Sequence, residues 1–269
     1  MLNIGPRGDG SVPERAAASL RNAGEWIHRY PQVVYGTDAS PWQHALPWGD
    51  VTTKGNKLFL VVFDWPASGK LYLPGLKTTV NAARMLRGDE SQVLGHETSE
   101  GWTVLQVPAR APETLASVIE LTCEGTPEAD PVWAIDPNIG TEILAEFASV
   151  EGAEKSEKRW MEKFGEWKSV VRVHDWSPDG KAVWEVNVLK PGEYCVHLTY
   201  AGEGRLVWSV NVEGAERIQN QQNSSHNYQE FPIGWIQFAK PGRFRVEVSC
   251  LEGNLQSASL KAIRFAPIP

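Results

Sequence analysis

Basic residues are the minority charge in this sequence. Over 269 residues, 26 Lys and Arg stand against 33 Asp and Glu, a formal net charge of −7. The two signs are interspersed, whereas nucleic acid or an anionic membrane surface needs a concentrated basic face. Neither is therefore expected as a partner. Long apolar runs are missing as well. None reaches the ~18 residues of a bilayer-spanning helix, and mean hydropathy is −0.33. The first residues, Met1-Leu2-Asn3-Ile4-Gly5-Pro6, lack the charged start and long apolar stretch of a secretory signal peptide. The expectation is either a cytoplasmic protein or a segment of a longer precursor, so localisation stays unassigned. Cysteine is scarce and odd in number. Cys123, Cys195 and Cys250 have no metal-type spacing and read as buried free thiols, with a Cys195–Cys250 disulfide across a sheet as the alternative. The histidines share no spacing, and no phosphate loop, serine elbow or Cys/His dyad is present in the sequence.

What the chain has in excess is tryptophan, 12 in all, within a β-rich pattern. Residues 58–63, Leu-Phe-Leu-Val-Val-Phe, are apolar throughout and predict a strand buried on both faces. Pro66 and Gly69 stop it, and residues 71–76 follow at hairpin distance. Upstream, Ser11 with Glu14 predicts a capping box, with Pro13 in the first turn. Ala16, Leu20, Ala23, Ile27 and Tyr30 then recur at helical spacing until Pro31. Residues 1–4 read as a short strand before this helix, and one strand-helix unit cannot bury its own faces. Further strands are expected at 79–86, 92–94, 102–108 and 116–122, with turn signals every ~8–12 residues as in an antiparallel sandwich. Residues 124–140 read as a linker with an ordered patch at Trp133 and Ile135.

A second β-rich unit is expected over 141–269. Its charged stretch 151–167 reads as a solvated helix or a long loop. Strands follow at 170–174, 182–188, 193–200, 206–212, 234–238, 243–250 and 259–265. Two of them begin after Lys-Pro-Gly, at 190–192 and 240–242, where a tight turn sends Tyr194 and Phe244 into the core. Sugar recognition combines an aromatic face with planar polar groups, and two stretches offer both. One is the polar segment 219–229, with Asn223, His226 and Tyr228, whose plainer reading is a solvated inter-strand loop. The other is the turn 174–180, with Asp175 and Trp176, whose plainer reading is a lid on the sandwich end. Trp184, Trp208 and Trp235 read as core, Trp26 as packing between helix and sandwich, and Trp65 as interdomain packing. Asn223-Ser224-Ser225 also matches a glycosylation sequon.

The motifs YGT, KGNKLFLVVFDWP, LPGL and SVIEL together resemble the C-terminal β-sandwich of glycoside hydrolase family 29 α-L-fucosidases. LNIGPRGDGSVPE resembles the last βα unit of that family's (β/α)8 barrel. The pattern WEVNVLKPGEYCVHLTY, with WIQFAKPGRFRVEV later, resembles the carbohydrate-binding-module-like domains appended to glycosidases. The resemblance implies a mainly β chain: a TIM-barrel remnant (1–32), a fucosidase sandwich (33–123), the linker (124–140) and a jelly-roll-like antiparallel sandwich (141–269). A complete barrel needs ~250 residues, and the family's catalytic carboxylates lie on it. No residue here matches either carboxylate, so no catalytic residue is assigned. Asp9 sits in the loop after the expected barrel strand, where active sites lie, but an Asp-Gly turn explains it as well. The implied role is a non-catalytic C-terminal portion of a retaining α-L-fucosidase, inactive alone, that supports the barrel and offers a surface for a fucosylated glycan. Its orphaned helix would bind the catalytic barrel or another copy. The alternative is a structural or protein-interaction module without sugar affinity. The second domain's likeness also suggests a structural calcium on Glu142 and Glu146, although Lys261 stands where such domains commonly carry an aspartate. No other cofactor is implied.

Overall fold

The computed structural model describes residues 5–99 and 101–268. The expected strand at 1–4 lies outside them. The chain divides into two compact units, Met1–Pro131 and Val132–Pro269.

The first unit opens with helix α1 (Glu14–Arg29), followed at once by the single turn α2 (Pro31–Val34). No side chain caps α1. Ser11 instead donates through both its amide (2.9 Å) and its hydroxyl (2.7 Å) to Asp9 Oδ1, so the expected capping box is replaced by an Asp-centred turn. Eight strands follow: β1 (Gly49–Lys54), β2 (Lys57–Val62), β3 (Lys70–Pro74), β4 (Val80–Arg87), β5 (Glu90–Leu94), β6 (His96–Ser99), β7 (Trp102–Gln106) and β8 (Ser117–Cys123). They form a five-stranded sheet, β1-β2-β8-β4-β5, and a three-stranded one, β3-β7-β6. β2 lies between β1 and β8 and is buried on both faces as expected, since its Leu58, Phe59, Leu60, Val61 and Val62 are all at or below 8% exposure. Phe59 and Val61 pack with Tyr30, Val33, Leu86 and Val118, with Trp26 against the same cluster. Trp26 Nε1 donates to the Ala116 carbonyl at 2.8 Å, which bears out the helix–sandwich reading. β2 and β3 do not form a hairpin. The positive-φ turn at Gly69 (φ 72°) sends the chain into the other sheet, and β3 pairs with β7 instead. Trp65 donates to Pro108 within this unit at 2.8 Å, so its indole serves its own sandwich.

The residues expected to be a linker are built into the units. Asp130 donates its amide to Gly75 at 2.9 Å. β9 (Trp133–Ile135) pairs in parallel with the second unit. Then come β10 (Thr141–Leu144), a 3-10 turn (Ala145–Phe147), β11 (Ser149–Glu151), β12 (Glu154–Lys163), β13 (Glu166–His174), β14 (Lys181–Val188), β15 (Gly192–Ala201), β16 (Gly204–Val212), β17 (Ile218–Ser224), β18 (Gln229–Phe238), β19 (Gly242–Glu252) and β20 (Ser259–Pro267). One six-stranded sheet runs β12-β13-β20-β15-β18 with β10 beside β20. The other runs β11-β14-β19-β16-β17 with β9 beside β14. Among the described residues β9–β14 is the one parallel pair, and no parallel ring of strands is present.

The two sheets share one core, from Trp184, Val186, Trp208 and Val248 on one side to Val196, Leu198, Ile263 and Phe265 on the other. Tyr194 is buried and Phe244 packs on Phe238 at 4.9 Å, as the Lys-Pro-Gly turns predict. Three expectations are corrected. The charged stretch 151–167 is the hairpin β12–β13, turning at Phe164-Gly165 with positive φ at the glycine. Most of the polar segment 219–229 is strand β17. Trp235 is 60% exposed and not core, because it pairs with Cys195 and alternates with the buried Ile236 and Phe238. A bulge just before it, where the ladder passes from Val196–Gly234 to His197–Pro232, turns Ile233 inward as well.

Candidate functional site

The outward face of the β12-β13-β20-β15-β18 sheet carries a cleft of about 650 Å³. Its residues come together through register. Lys158 faces Val170, and Trp160 faces Lys168, across the β12–β13 ladder. Directly opposed residues share a face, and so do alternate residues along one strand, so Lys158, Trp160, Lys168 and Val170 all point the same way; Glu162, at a bulge of the ladder, joins them 3.6 Å from Lys168. β13 meets β20 at Val173–Leu260. There β20 carries one residue too many, since Thr199 pairs with Ala262 and Tyr200 with Leu260. The extra residue is Lys261. The chain between β17 and β18 then lays His226, Asn227 and Tyr228 beside it. A 2.6 Å hydrogen bond between the Tyr228 hydroxyl and Ser259 Oγ fixes that phenol to β20.

The cleft thus has Val170 as an apolar floor, two aromatic side chains in Trp160 and Tyr228, and a rim of amide, imidazole, carboxylate and three ammonium groups. Aromatic rings offer a surface to the C–H face of a pyranose, and the rim offers donors and acceptors to its hydroxyls. His226 is largely exposed, with Nε2 3.5 Å from Glu203 Oε1.

Of the residues that the sequence singled out for sugar contact, the structure brings together His226 and Tyr228. Asn223 is exposed on β17, the edge strand of the opposite sheet, where it faces Arg205. Trp176 is a correction. It is 2% exposed and meets Trp208 edge-on, with centroids 5.2 Å apart at 88°, so the core takes its apolar area and no ring face is left for a ligand. Asp175, in the left-handed region (φ 50°), holds His174 Nδ1 at 2.9 Å. His174 Nε2 lies 2.6 Å from Ser156 Oγ. This hydroxyl–imidazole–carboxylate relay ties β12 to β13 outside the cleft. Glu154, His174 and Asp175 also have ligand-type atoms within 4.8 Å of one another, but both ring nitrogens of His174 already have partners.

Glu142 and Glu146 do not fit calcium. Glu142 lies opposite Arg264 on β20. Beside Glu146, Lys155 Nζ donates to the carbonyls of Glu146 (2.8 Å) and Ala148 (2.7 Å), so an ammonium holds oxygens that a cation would need. The thiols are free, with Cys195 partly exposed. Asp9 is the turn residue already described. Sequence reading missed Lys158, Trp160, Glu162, Lys168 and Lys261. The signal for the first three was the even spacing 158/160/162 ahead of the turn Phe164-Gly165. For Lys261, a bulge in a strand otherwise read correctly left no signal.

No protein-family model matches the chain. It is 31% identical over 107 residues to the plasma alpha-L-fucosidase of Rattus norvegicus, covering 38% of this chain and 22% of that protein. It is 32% identical over 79 residues to the alpha-L-fucosidase of Branchiostoma floridae, covering 27% and 17% respectively. The crystal structure of an alpha-L-fucosidase from Vibrio sp. strain EJY3 superimposes on 99% of this chain and 47% of that one, with a TM-score of 0.65 at 18% identity. The chain is related to the C-terminal region of α-L-fucosidases. It spans about a fifth of the length of the curated fucosidases it matches. The likeness to the Vibrio fucosidase is one of fold, and it extends over both units.

Proposed function

We propose that this chain is the non-catalytic C-terminal portion of an α-L-fucosidase, supporting a catalytic barrel with its first unit and binding glycan with its second. The full-length enzyme hydrolyses α-L-fucosides with retention, through a nucleophilic carboxylate and an acid/base carboxylate supplied by the barrel. The observation that carries the glycan reading is the cleft, where Trp160 and Tyr228 lie on one face of a sheet with polar groups from two further strands, β13 and β20. The supporting role rests on α1. None of its residues is buried, and Ala16, Leu20, Gly24 and Ile27 form a half-exposed stripe. The catalytic barrel, or a second copy of the chain, covers that stripe.

Affinity electrophoresis in gels carrying fucosylated glycan tests the reading. The chain is retarded, and Trp160→Ala or Tyr228→Ala abolishes the retardation. Nitrophenyl fucoside is not turned over by the chain alone. Unretarded migration in every gel would leave the second reading, a structural or protein-interaction module without sugar affinity. The tip of the β12–β13 hairpin favours that reading, with Phe164 100% and Trp167 60% exposed.

A further inference from the structure

We infer that the cleft on the outward face of the second unit selects glycans bearing an anionic substituent, a sulfate ester or a carboxylate. The inference rests on the glycan reading of that cleft and adds the charge of its ligand. Lys158, Lys168 and Lys261 line the cleft against a single carboxylate, Glu162. Glu162 is engaged with Lys168 at 3.6 Å. Among the described residues, no carboxylate lies within ion-pair distance of Lys158 or Lys261. This local excess runs against the chain as a whole, in which acids outnumber bases by 33 to 26.

Placement separates Lys261 from an ordinary surface lysine. The β20 bulge sets it between Leu260 and Ala262, both buried, and it is itself only partly exposed. A partly desolvated ammonium without a counter-charge is unfavourable, and a bound anion removes that cost. Lys158 stands on β12, two residues from Trp160 on the same face. A pyranose stacked on Trp160 therefore has an ammonium beside it. Lysine suits this role, because a compact charge on a flexible stem follows a substituent whose position varies between sugars.

The test uses the full chain and three oligosaccharides of equal length: a sulfated chain, the neutral chain left after its desulfation, and an oligouronate. Binding is measured by calorimetry at about 50 and about 200 mM salt, where the screening length shortens from roughly 14 to 7 Å. At low salt the better of the two anionic chains binds about tenfold tighter than the neutral one, the effect of two ion pairs of moderate strength. Which of them wins identifies the substituent. The gap narrows at high salt, Lys158→Ala and Lys261→Ala bring the anionic chain down to the neutral one, and Trp160→Ala weakens both. Equal affinity for neutral and anionic chains, or equal losses for both in the lysine variants, overturns the inference and leaves glycan binding standing. Failure of all three chains to bind overturns both. Binding of dextran sulfate or an oligonucleotide as tight as that of the sulfated chain, and indifferent to Trp160→Ala, also overturns it, since charge without sugar recognition would then suffice.

Discussion

Replacing Asp136 by asparagine should stabilise the second unit at neutral pH. Asp136 is 4% exposed. Its Oδ1 accepts the amides of Asn138 (2.7 Å) and Ile139 (3.0 Å), while its own amide donates to Thr141 Oγ1 at 2.9 Å. Burial pushes the carboxyl up from 3.8 to about 6, although the two amides pull it down. A carboxyl that is harder to ionise in the folded chain makes folding most favourable when protonated. Its contribution is therefore fully present below pH ~4 and is lost as pH rises through about 6. A shift of about 2 units corresponds to about 3 kcal/mol at pH 7. The amide of Asp136→Asn keeps an oxygen for both N–H donors and carries no charge. Urea unfolding, read by hydrogen exchange on peptides from β10 and β14, should show the variant more stable at pH 7 by up to about 3 kcal/mol. The advantage should vanish near pH 4. Glu230, held below its usual range by hydrogen bonds from Arg264, moves in the opposite sense in both proteins and cancels from the difference. A variant less stable at pH 7, or an advantage that persists unchanged at pH 4, would refute the reasoning.

Three further outcomes are expected. Trp208→Ala, at a fully buried indole packed on Trp176 and Tyr200, should cost about 3–5 kcal/mol in equilibrium unfolding; a loss below ~1 kcal/mol would mean the aromatic cluster is not packed as described. Gly49→Ala should prevent the first unit from folding normally. At φ 153° its Cβ would overlap the Val61 carbonyl oxygen across the β1–β2 ladder, and soluble protein with native near-ultraviolet dichroism would contradict this. Under native conditions Ellman's reagent should titrate one thiol, Cys195, slowly because burial raises its pKa, and all three after unfolding; three fast thiols in the native chain would be inconsistent with this packing.

Much of the fold was legible because burial imprints alternation. In β15, Tyr194, Val196, Leu198 and Tyr200 are all buried while Cys195, His197 and Thr199 between them are only partly so, and β2 announces its two-sided burial by having no polar residue between Leu58 and Val62. Legibility failed where alternation carries no hydrophobic contrast. Both faces of β12 meet solvent along most of its length, so its period of two is written in charges and resembles a polar helix or loop. β17 is an edge strand of Gln and Asn, and its ladder with β16 supplies what its side chains do not signal. Bulges defeat pattern reading for another reason: they exist only in the ladder, as where β15 passes over Ile233 of β18 and lets it point inward. The site shared both weaknesses. Its aromatic anchor lies on β12, its half-buried lysine lies on a bulge, and the tryptophan that looked most like a platform, Trp176, belongs to the core.

β12 has a consequence beyond ligand contact. It ends its sheet, and a ten-residue border strand with unsatisfied amides and carbonyls invites any extended chain to zip onto it. Seven of its ten side chains, Glu154, Lys155, Glu157, Lys158, Arg159, Glu162 and Lys163, are charged and of mixed sign. An incoming strand would have to strip water from them in any register. Lys158 and Glu162, which line the cleft, thus also act as gatekeepers against self-association, and a mutation made to alter the cleft there also alters colloidal behaviour.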